Sequence, residues 1–339
     1  MRDNENFDRE LFNIFRLFFD GEPTSFEAAN TSRGDEDFRE AVTVNCGSGV
    51  KYMIKLDDND FTFPEKIDMW RKTAEEYRGL GYYCPRILPD REGNYPMVSY
   101  KGRRCVAYVE EFSPYRAAEN FEGANACEYM RDAWIMTAKI ASKRLSYTEY
   151  PSGYCLFDTF CPSDKTDEVL ENALEWEKYS RTLPDELRPQ LQKIWGLWTE
   201  NRKELEKIYR GLPTSVFQAD LNPTNIMLDE NGKFVGVIDF NLCGKDVFLN
   251  YLFREVRAGD YEKELNALFA ALKTVSGHYR FSEPEKRAAL PLYRCLKPLW
   301  LEKLDGLKAL GSDIPAVKAF LDETENSLTA DIDFTVYMN

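Results

Sequence analysis

The stretch that decides the fold runs from Ser215 to Phe240 and reads SVFQADLNPTNIMLDENGKFVGVIDF. Gln218-Ala219-Asp220-Leu221-Asn222-Pro223-Thr224-Asn225 leads straight into the apolar run Ile226-Met227-Leu228. Asp229-Glu230-Asn231-Gly232 follows, and Asn-Gly is a strong hairpin signal because both residues tolerate positive φ. Phe234 to Ile238 is the return strand, and it ends at Asp239. Such a hairpin brings Asp239 back near Asn225. It gathers two carboxylates, Asp220 and Asp239, with the amide oxygen of Asn225. These are hard ligands suited to magnesium, which keeps several waters and takes one or two carboxylates plus substrate phosphates. Asp and Asn are also common turn residues, so the competing reading is a plain hairpin with solvated side chains.

Upstream, residues 24–112 read as strands around one helix. Glu5 to Asp20 comes first, with Phe7, Leu11, Ile14, Phe15 and Phe18 at helical spacing. Strand patterns then span Ser25 to Ala29, Phe38 to Asn45 and Val50 to Leu56. Thr31 to Asp35 and Cys46 to Gly49 are the turns between them. Phe63-Pro64-Glu65 opens a helix with the stripe Ile67, Trp70, Ala74, Tyr77, closed by Gly79 and Gly81. Pro85 to Leu88, Tyr95 to Val98 and Val106 to Phe112 are strand-like. Beyond Phe112 the texture turns helical: Ala126 to Leu145, Lys165 to Ser180, Leu187 to Tyr209, and most of Tyr261 to Leu328. The expected domains are therefore a strand-rich N-terminal lobe, 1–112, and a helical C-terminal lobe, 113–339, that carries the hairpin.

Composition narrows the function classes. The chain has 339 residues, 43% of them apolar and 30% charged, the profile of a globular protein with a full core. Its net charge of -14 disfavours nucleic acid and anionic membranes and weakly favours a cationic small substrate. No apolar run approaches the roughly 20 residues of a membrane span, and the charged N-terminus lacks a signal-peptide core. The eight cysteines are scattered without a Cys-x-x-Cys pair, and there is one histidine, His278. That pattern predicts reduced thiols, a cytoplasmic setting and no zinc site. Oligomeric state leaves no signature in the sequence.

The segment 218–240 resembles the catalytic loop of the aminoglycoside phosphotransferase and choline kinase family, small-molecule kinases with a protein-kinase-like fold. The family loop reads His-Gly-Asp-Leu-His-Pro-Gly-Asn, then an apolar strand, then Ile-Asp-Phe or Ile-Asp-Trp. Here Asp220, Leu221, Pro223, Asn225 and Val237-Ile238-Asp239-Phe240 keep it, while Gln218, Ala219, Asn222 and Thr224 depart from it. The resemblance implies an α+β, two-lobed fold: a small antiparallel sheet with one main helix, then a mostly helical lobe with the catalytic hairpin. It implies ATP and Mg2+ as cofactors, Asp220 as catalytic base, and Asn225 and Asp239 as metal ligands.

It also implies a nucleotide side. Lys55, in Lys51-Tyr52-Met53-Ile54-Lys55-Leu56, resembles the strand lysine that pairs with the α- and β-phosphates. Its usual acidic partner lies on the next helix, where Glu75 is the expected residue and Asp68 shares nearly the same face. Tyr108 to Phe112 resembles the hinge, with backbone groups near Glu111 and Phe112 reading the adenine edge. The phosphate-covering turn near Thr31 to Asp35 holds only Gly34. Asp246, after Gly244-Lys245, resembles a structural aspartate of the family. Tyr279, Phe281, Tyr293, Trp300 and Glu302 suit a cation, or are core aromatics and solvated acids.

The expected function is ATP-dependent transfer of the γ-phosphoryl group to a hydroxyl of a small molecule, such as an amino alcohol, aminoglycoside or amino sugar. The alternative is a catalytically impaired, kinase-like nucleotide-binding protein, motivated by Gln218. A glutamine amide both donates and accepts, so it can brace the loop as a histidine would.

Overall fold

The computed structural model describes residues 2–34, 36–47, 49–118, 126–257 and 261–339. Asp35 and Ser48, in the two turns read above, and the side chain of Cys127 lie outside the described residues. In chain order the elements are α1 (Arg2–Phe18), β1 (Pro23–Asn30), β2 (Phe38–Cys46), β3 (Lys51–Asp58), α2 (Pro64–Gly79), β4 (Ile87–Leu88), β5 (Met97–Tyr100), β6 (Arg103–Glu111) and β7 (Arg116–Ala117). Then come α3 (Ala126–Ser142), α4 (Glu168–Ser180), α5 (Arg188–Tyr209), β8 (Thr214–Phe217), β9 (Ile226–Leu228), β10 (Phe234–Val237), β11 (Gly244–Val247), α6 (Phe248–Glu255), α7 (Tyr261–Val275), α8 (Glu283–Leu296), α9 (Leu301–Leu310) and α10 (Ile314–Thr329). The α+β alternation read from the sequence is present, with every predicted strand and helix at or near its expected place. Two compact units result: Met1–Tyr129 with Cys161–Ser163 and Asp220–Gly244, and Met130–Phe160 with Asp164–Ala219 and Lys245–Asn339.

The first unit is built on a six-stranded sheet in the order β1-β2-β3-β6-β4, with β5 also on β6. All these pairings are antiparallel. Side chains alternate across a strand. Val42, Val44, Ile54, Leu56, Ala107 and Val109 therefore share one face, where Leu11, Ile14, Phe15 and Phe18 of α1 cover them. Each of the larger side chains among them is worth roughly 1.5–3 kcal/mol when fully buried. Lys55, Asp57, Tyr108 and Glu110 fall on the other face by the same alternation. There α2 packs, with the Trp70 and Tyr108 ring centroids 6.0 Å apart. Pro64 starts α2, and Gly81 at φ +87 ends its last turn.

The second unit is helical, apart from β8 paired with β11. Trp198 Nε1 on α5 donates to the Cys295 carbonyl on α8 at 3.0 Å, and Ser282 with Glu285 forms a capping box at the start of α8. Asp246 is buried among donors: Ser152 Oγ at 2.7 Å, Tyr209 OH at 3.2 Å and Asn250 Nδ2 at 3.2 Å. Burial pushes its carboxyl up to about 6 against the Ser152 and Asn250 bonds. The residue ties three segments of this unit together, the structural role read from the sequence. Tyr279, Phe281 and Tyr293 are core residues, 0–3% exposed, and Glu302 pairs with Arg257 at 3.1 Å. Of the two readings of these side chains, the core and solvated-acid one holds for these four.

Lys297 is a buried lysine of this unit. Its Nζ donates to the Val256 carbonyl and stands 3.9 Å from Glu264 Oε2. Burial pushes its ammonium down to about 8, with Glu264 opposing. A lysine bound more weakly to its proton in the fold destabilises the fold while charged. That penalty lifts as pH rises from about 8 to the ordinary lysine value. Denaturant unfolding of the wild type minus that of Lys297→Met should therefore shift in favour of the wild type by about 3 kcal/mol between pH 7 and 10.5. A flat difference would refute the burial account.

Among the described residues no cysteine forms a disulfide, and no helix is long and apolar enough to cross a membrane.

Candidate active site

β9 and β10 form the expected hairpin, with Ile226 opposite Val237. Beyond the last pair, Ile238 N donates to Asn225 O at 2.9 Å, so Asp239 stands next to the root of β9. The hairpin is anchored in two further ways. β7 pairs with β9, and Tyr83, just after α2, bridges β10 in parallel at Gly236. Tyr83 N donates to Val235 O at 2.8 Å, and Val237 N to Tyr83 O at 3.0 Å. A Cβ on Gly236 would lie 1.8 Å from the Tyr83 carbonyl oxygen, which is why glycine is required there. Asp239 itself has φ +60, a left-handed conformation uncommon for a residue other than glycine and frequent at functional sites. The turn after it seats Phe240 against Tyr77 of α2, with ring centroids 5.8 Å apart.

Asp220 is buried and held by two amides. Asn222 Nδ2 donates to its Oδ1 at 2.5 Å, and Asn225 Nδ2 to its Oδ2 at 3.2 Å and to its carbonyl at 3.0 Å. The Asn225 amide thus turns its nitrogen toward Asp220. Asn222, a departure from the family loop, is one of the side chains that orient Asp220. In the second unit, Arg254 Nη2 donates to the carbonyl of Ala219, the residue before Asp220. Nothing in the spacing of Arg254 signalled this.

Lys55 lies on the α2-covered face of the sheet, in register with Ala41 on one side and Tyr108 on the other. Burial alone would push its ammonium down. Glu110, Asp239 and Asp57 outweigh burial and Arg39, and raise it above an ordinary lysine. Asp57 is 4% exposed and Glu110 8%. Tyr108 OH donates to Asp57 Oδ2 at 3.3 Å. Burial pushes Asp57 up to about 7 against Lys55 and Arg39. Burial also raises Glu110, with Lys55 opposing. Lys55 and Asp239 are thus brought into one electrostatic group.

Glu75 is not in that group. It sits on the exposed side of α2, where its carboxylate accepts from Arg71 Nη1 at 2.7 Å, and Asp68 takes Arg71 Nη2 at 2.8 Å. The buried positions of α2 are Lys66, Ile67, Met69, Trp70, Thr73, Ala74 and Tyr77, with no acid among them. Glu110 and Asp57 went unnoticed in the sequence, although alternation from Lys55 was the signal that could have found them. At the connector, Glu111 N donates to Arg86 O at 3.0 Å, so that N–H is already used. The Glu111 carboxylate lies 3.6 Å from Arg86 and 3.8 Å from Arg78. Phe112 is 40% exposed, with Lys51 Nζ 5.4 Å from its ring centroid.

No cluster of three or more His, Cys, Asp or Glu among the described residues could hold a metal alone. One amide oxygen and one carboxylate, Asn225 and Asp239, fit instead an ion that draws its remaining ligands from water and phosphate, as magnesium does.

The model of the phosphotransferase enzyme family matches residues 54–250, which spans Lys55, Asp220, Asn225 and Asp239. No curated protein matches the chain. Among solved structures, the microcompartment-associated aminopropanol kinase aligns over 94% of each chain with a TM-score of 0.57 and 13% identity. Amicoumacin kinase in complex with AMP-PNP, Ca2+ and Ami aligns over 97% of this chain and 96% of its own, with a TM-score of 0.52 and 14% identity. At such identities the likeness is one of fold, and the fold is the kinase-like one that the resemblance implied.

Proposed function

Because the chain belongs to the phosphotransferase enzyme family, we propose that it moves the γ-phosphoryl group of ATP to a hydroxyl of a small, amine-bearing molecule. The observation that carries this is the closure of the hairpin at Asn225 and Ile238. It sets Asp239 beside Asn225, whose amide in turn orients Asp220.

Asp220 is the base. It accepts the proton of the acceptor hydroxyl as that oxygen bonds to the γ-phosphorus, while the bond from phosphorus to the β,γ-bridging oxygen breaks and ADP leaves with the electron pair. The amides of Asn222 and Asn225 fix the direction of its lone pairs, so little reorganisation is needed. Lys55 balances charge on the α- and β-phosphates. Asn225 and Asp239 would hold Mg2+, which supplies charge neutralisation and alignment of the phosphates when bound. Phe112 and the carbonyl side of the connector are the proposed adenine contacts, since the Glu111 N–H is engaged.

ATP finds support in the fold neighbour that holds AMP-PNP with a divalent cation. An amine on the acceptor finds support in the neighbouring aminopropanol kinase and in the net charge of -14, which raises the local concentration of cations. The test is ADP release with Mg-ATP across amino alcohols, aminoglycosides and sugars. Turnover confined to amine-bearing alcohols supports the reading. Turnover with neutral sugars alone refutes the amine. Tight Mg-ATP binding with no turnover on any acceptor favours the impaired kinase that Gln218 suggested.

A further inference from the structure

We propose that the acid which positions Lys55 is supplied by the sheet, with Glu110 of β6 as the principal residue and Asp57 of β3 as its second. The inference rests on the reading of Lys55 as a phosphate-binding lysine and replaces the helix acid expected from sequence.

The geometry follows from register. Lys55 faces Tyr108 across the β3–β6 ladder, and Met53 faces Glu110. Glu110 is two residues along β6 from Tyr108, so its side chain emerges on the same face as Lys55, diagonal to it. Diagonal neighbours on one face of an antiparallel pair lie within reach of long side chains. Asp57 lies two residues along β3 from Lys55, on the same face, and Tyr108 OH fixes its Oδ2 at 3.3 Å. Both acids are more than nine-tenths buried. A carboxylate so buried is costly unless a cation answers it, and the nearby cations acting on Asp57 are Lys55 and Arg39. For Glu110 the cation is Lys55.

Of the helix's acids, Asp68 and Glu75 share Arg71, and none, the half-buried Glu76 included, is among its buried positions. A sheet-borne acid also behaves differently from a helix-borne one. Strands β3 and β6 are hydrogen-bonded neighbours, so the lysine and its acid move as one body. A shift of α2 would then leave the lysine in place. Glu110 and Asp57 are positioning residues, acting on nucleotide through Lys55.

The experiment uses the full chain with Glu110→Gln, Asp57→Asn and Glu75→Gln. The first readout is the titration midpoint of Lys55, followed by NMR on 13C-methylated lysines and assigned with Lys55→Arg. It needs no nucleotide, so it separates failure of this inference from failure of the kinase reading. The second is Mg-ATP affinity by calorimetry. The Lys55 midpoint is expected to fall in Glu110→Gln and, by less, in Asp57→Asn. Mg-ATP affinity is expected to weaken roughly tenfold in Glu110→Gln, with the larger part of any kinetic loss in KM for ATP. Glu110→Asp should recover part of it, which a loss of packing would not. Asp57→Asn keeps the test open should Glu110→Gln not fold. A midpoint that moves in Glu75→Gln and stays fixed in the other two overturns the inference. A midpoint that falls in Glu110→Gln with unchanged Mg-ATP affinity overturns the positioning role.

Discussion

Asp220→Asn is expected to lower kcat by about 10^2 to 10^4-fold, the usual contribution of a positioned general base, with Mg-ATP affinity changed less than about threefold. The separation of the two effects is what the geometry predicts. Asp220 is oriented by donors, Asn222 Nδ2 and Asn225 Nδ2, so both carboxylate oxygens already accept hydrogen bonds. A carboxylate has about four lone-pair sites, so capacity to take a hydroxyl proton remains. Asparagine keeps the shape and loses the basicity. It also turns one amide nitrogen toward a donor, at a stability cost of roughly 1–3 kcal/mol, which melting curves would register separately. Steady-state ADP release on the acceptor that the panel identifies, beside calorimetry with Mg-ATP, gives both numbers. Retention of kcat within about tenfold would remove Asp220 as the base and leave the site as a binding site only.

Much of this was legible from 26 residues of sequence. The Asn-Gly turn and the apolar runs on either side specify a hairpin by local chemistry alone. A hairpin of that length returns Asp239 to Asn225 by arithmetic, and the Ile238-to-Asn225 hydrogen bond is that return. Lys55 was singled out by its resemblance to the family's strand lysine, and the structure puts it in register with Ala41 and Tyr108. Its acids were not legible, for a physical reason. A helix acid can be guessed from spacing along one element, whereas Glu110 meets Lys55 through the register of two strands separated by α2, β4 and β5. Register depends on which strands pair, and pairing is a long-range choice. Glu75 looked favourable because position along a helix is easy to count, but counting does not say which face is buried. Arg71, between Asp68 and Glu75, marks the solvent face by pairing with both. The anchoring of the hairpin by Tyr83 was also hidden, since a parallel bridge between a loop and a strand has no local pattern.

That anchor carries the second large expectation. Gly236→Ala should destabilise the protein by at least about 3 kcal/mol, the upper range of ordinary overpacking, because the added carbon would meet backbone that cannot rotate aside. The Cβ would lie 1.8 Å from the Tyr83 oxygen, 2.6 Å from its carbonyl carbon and 2.7 Å from its nitrogen. Relief requires β10 and the 83 segment to part, which breaks the Tyr83-to-Val235 and Val237-to-Tyr83 hydrogen bonds together. Gly232→Ala is the contrast. Its φ is +77, so it should cost about 1–2 kcal/mol of left-handed backbone strain. The two variants therefore separate a steric clash from a conformational preference within one hairpin. The clash should also reach the chemistry. Gly236 is three residues before Asp239, and displacing β10 moves Asp239 away from Asn225. Gly236→Ala is expected to raise the Mg2+ concentration needed for half-maximal ATP binding, whereas Gly232→Ala, at the far tip, should leave it unchanged. Equal destabilisation by both variants would show that the close approach of Tyr83 is not what holds the hairpin, and that Asn225 and Asp239 are brought together by the β9–β10 ladder alone.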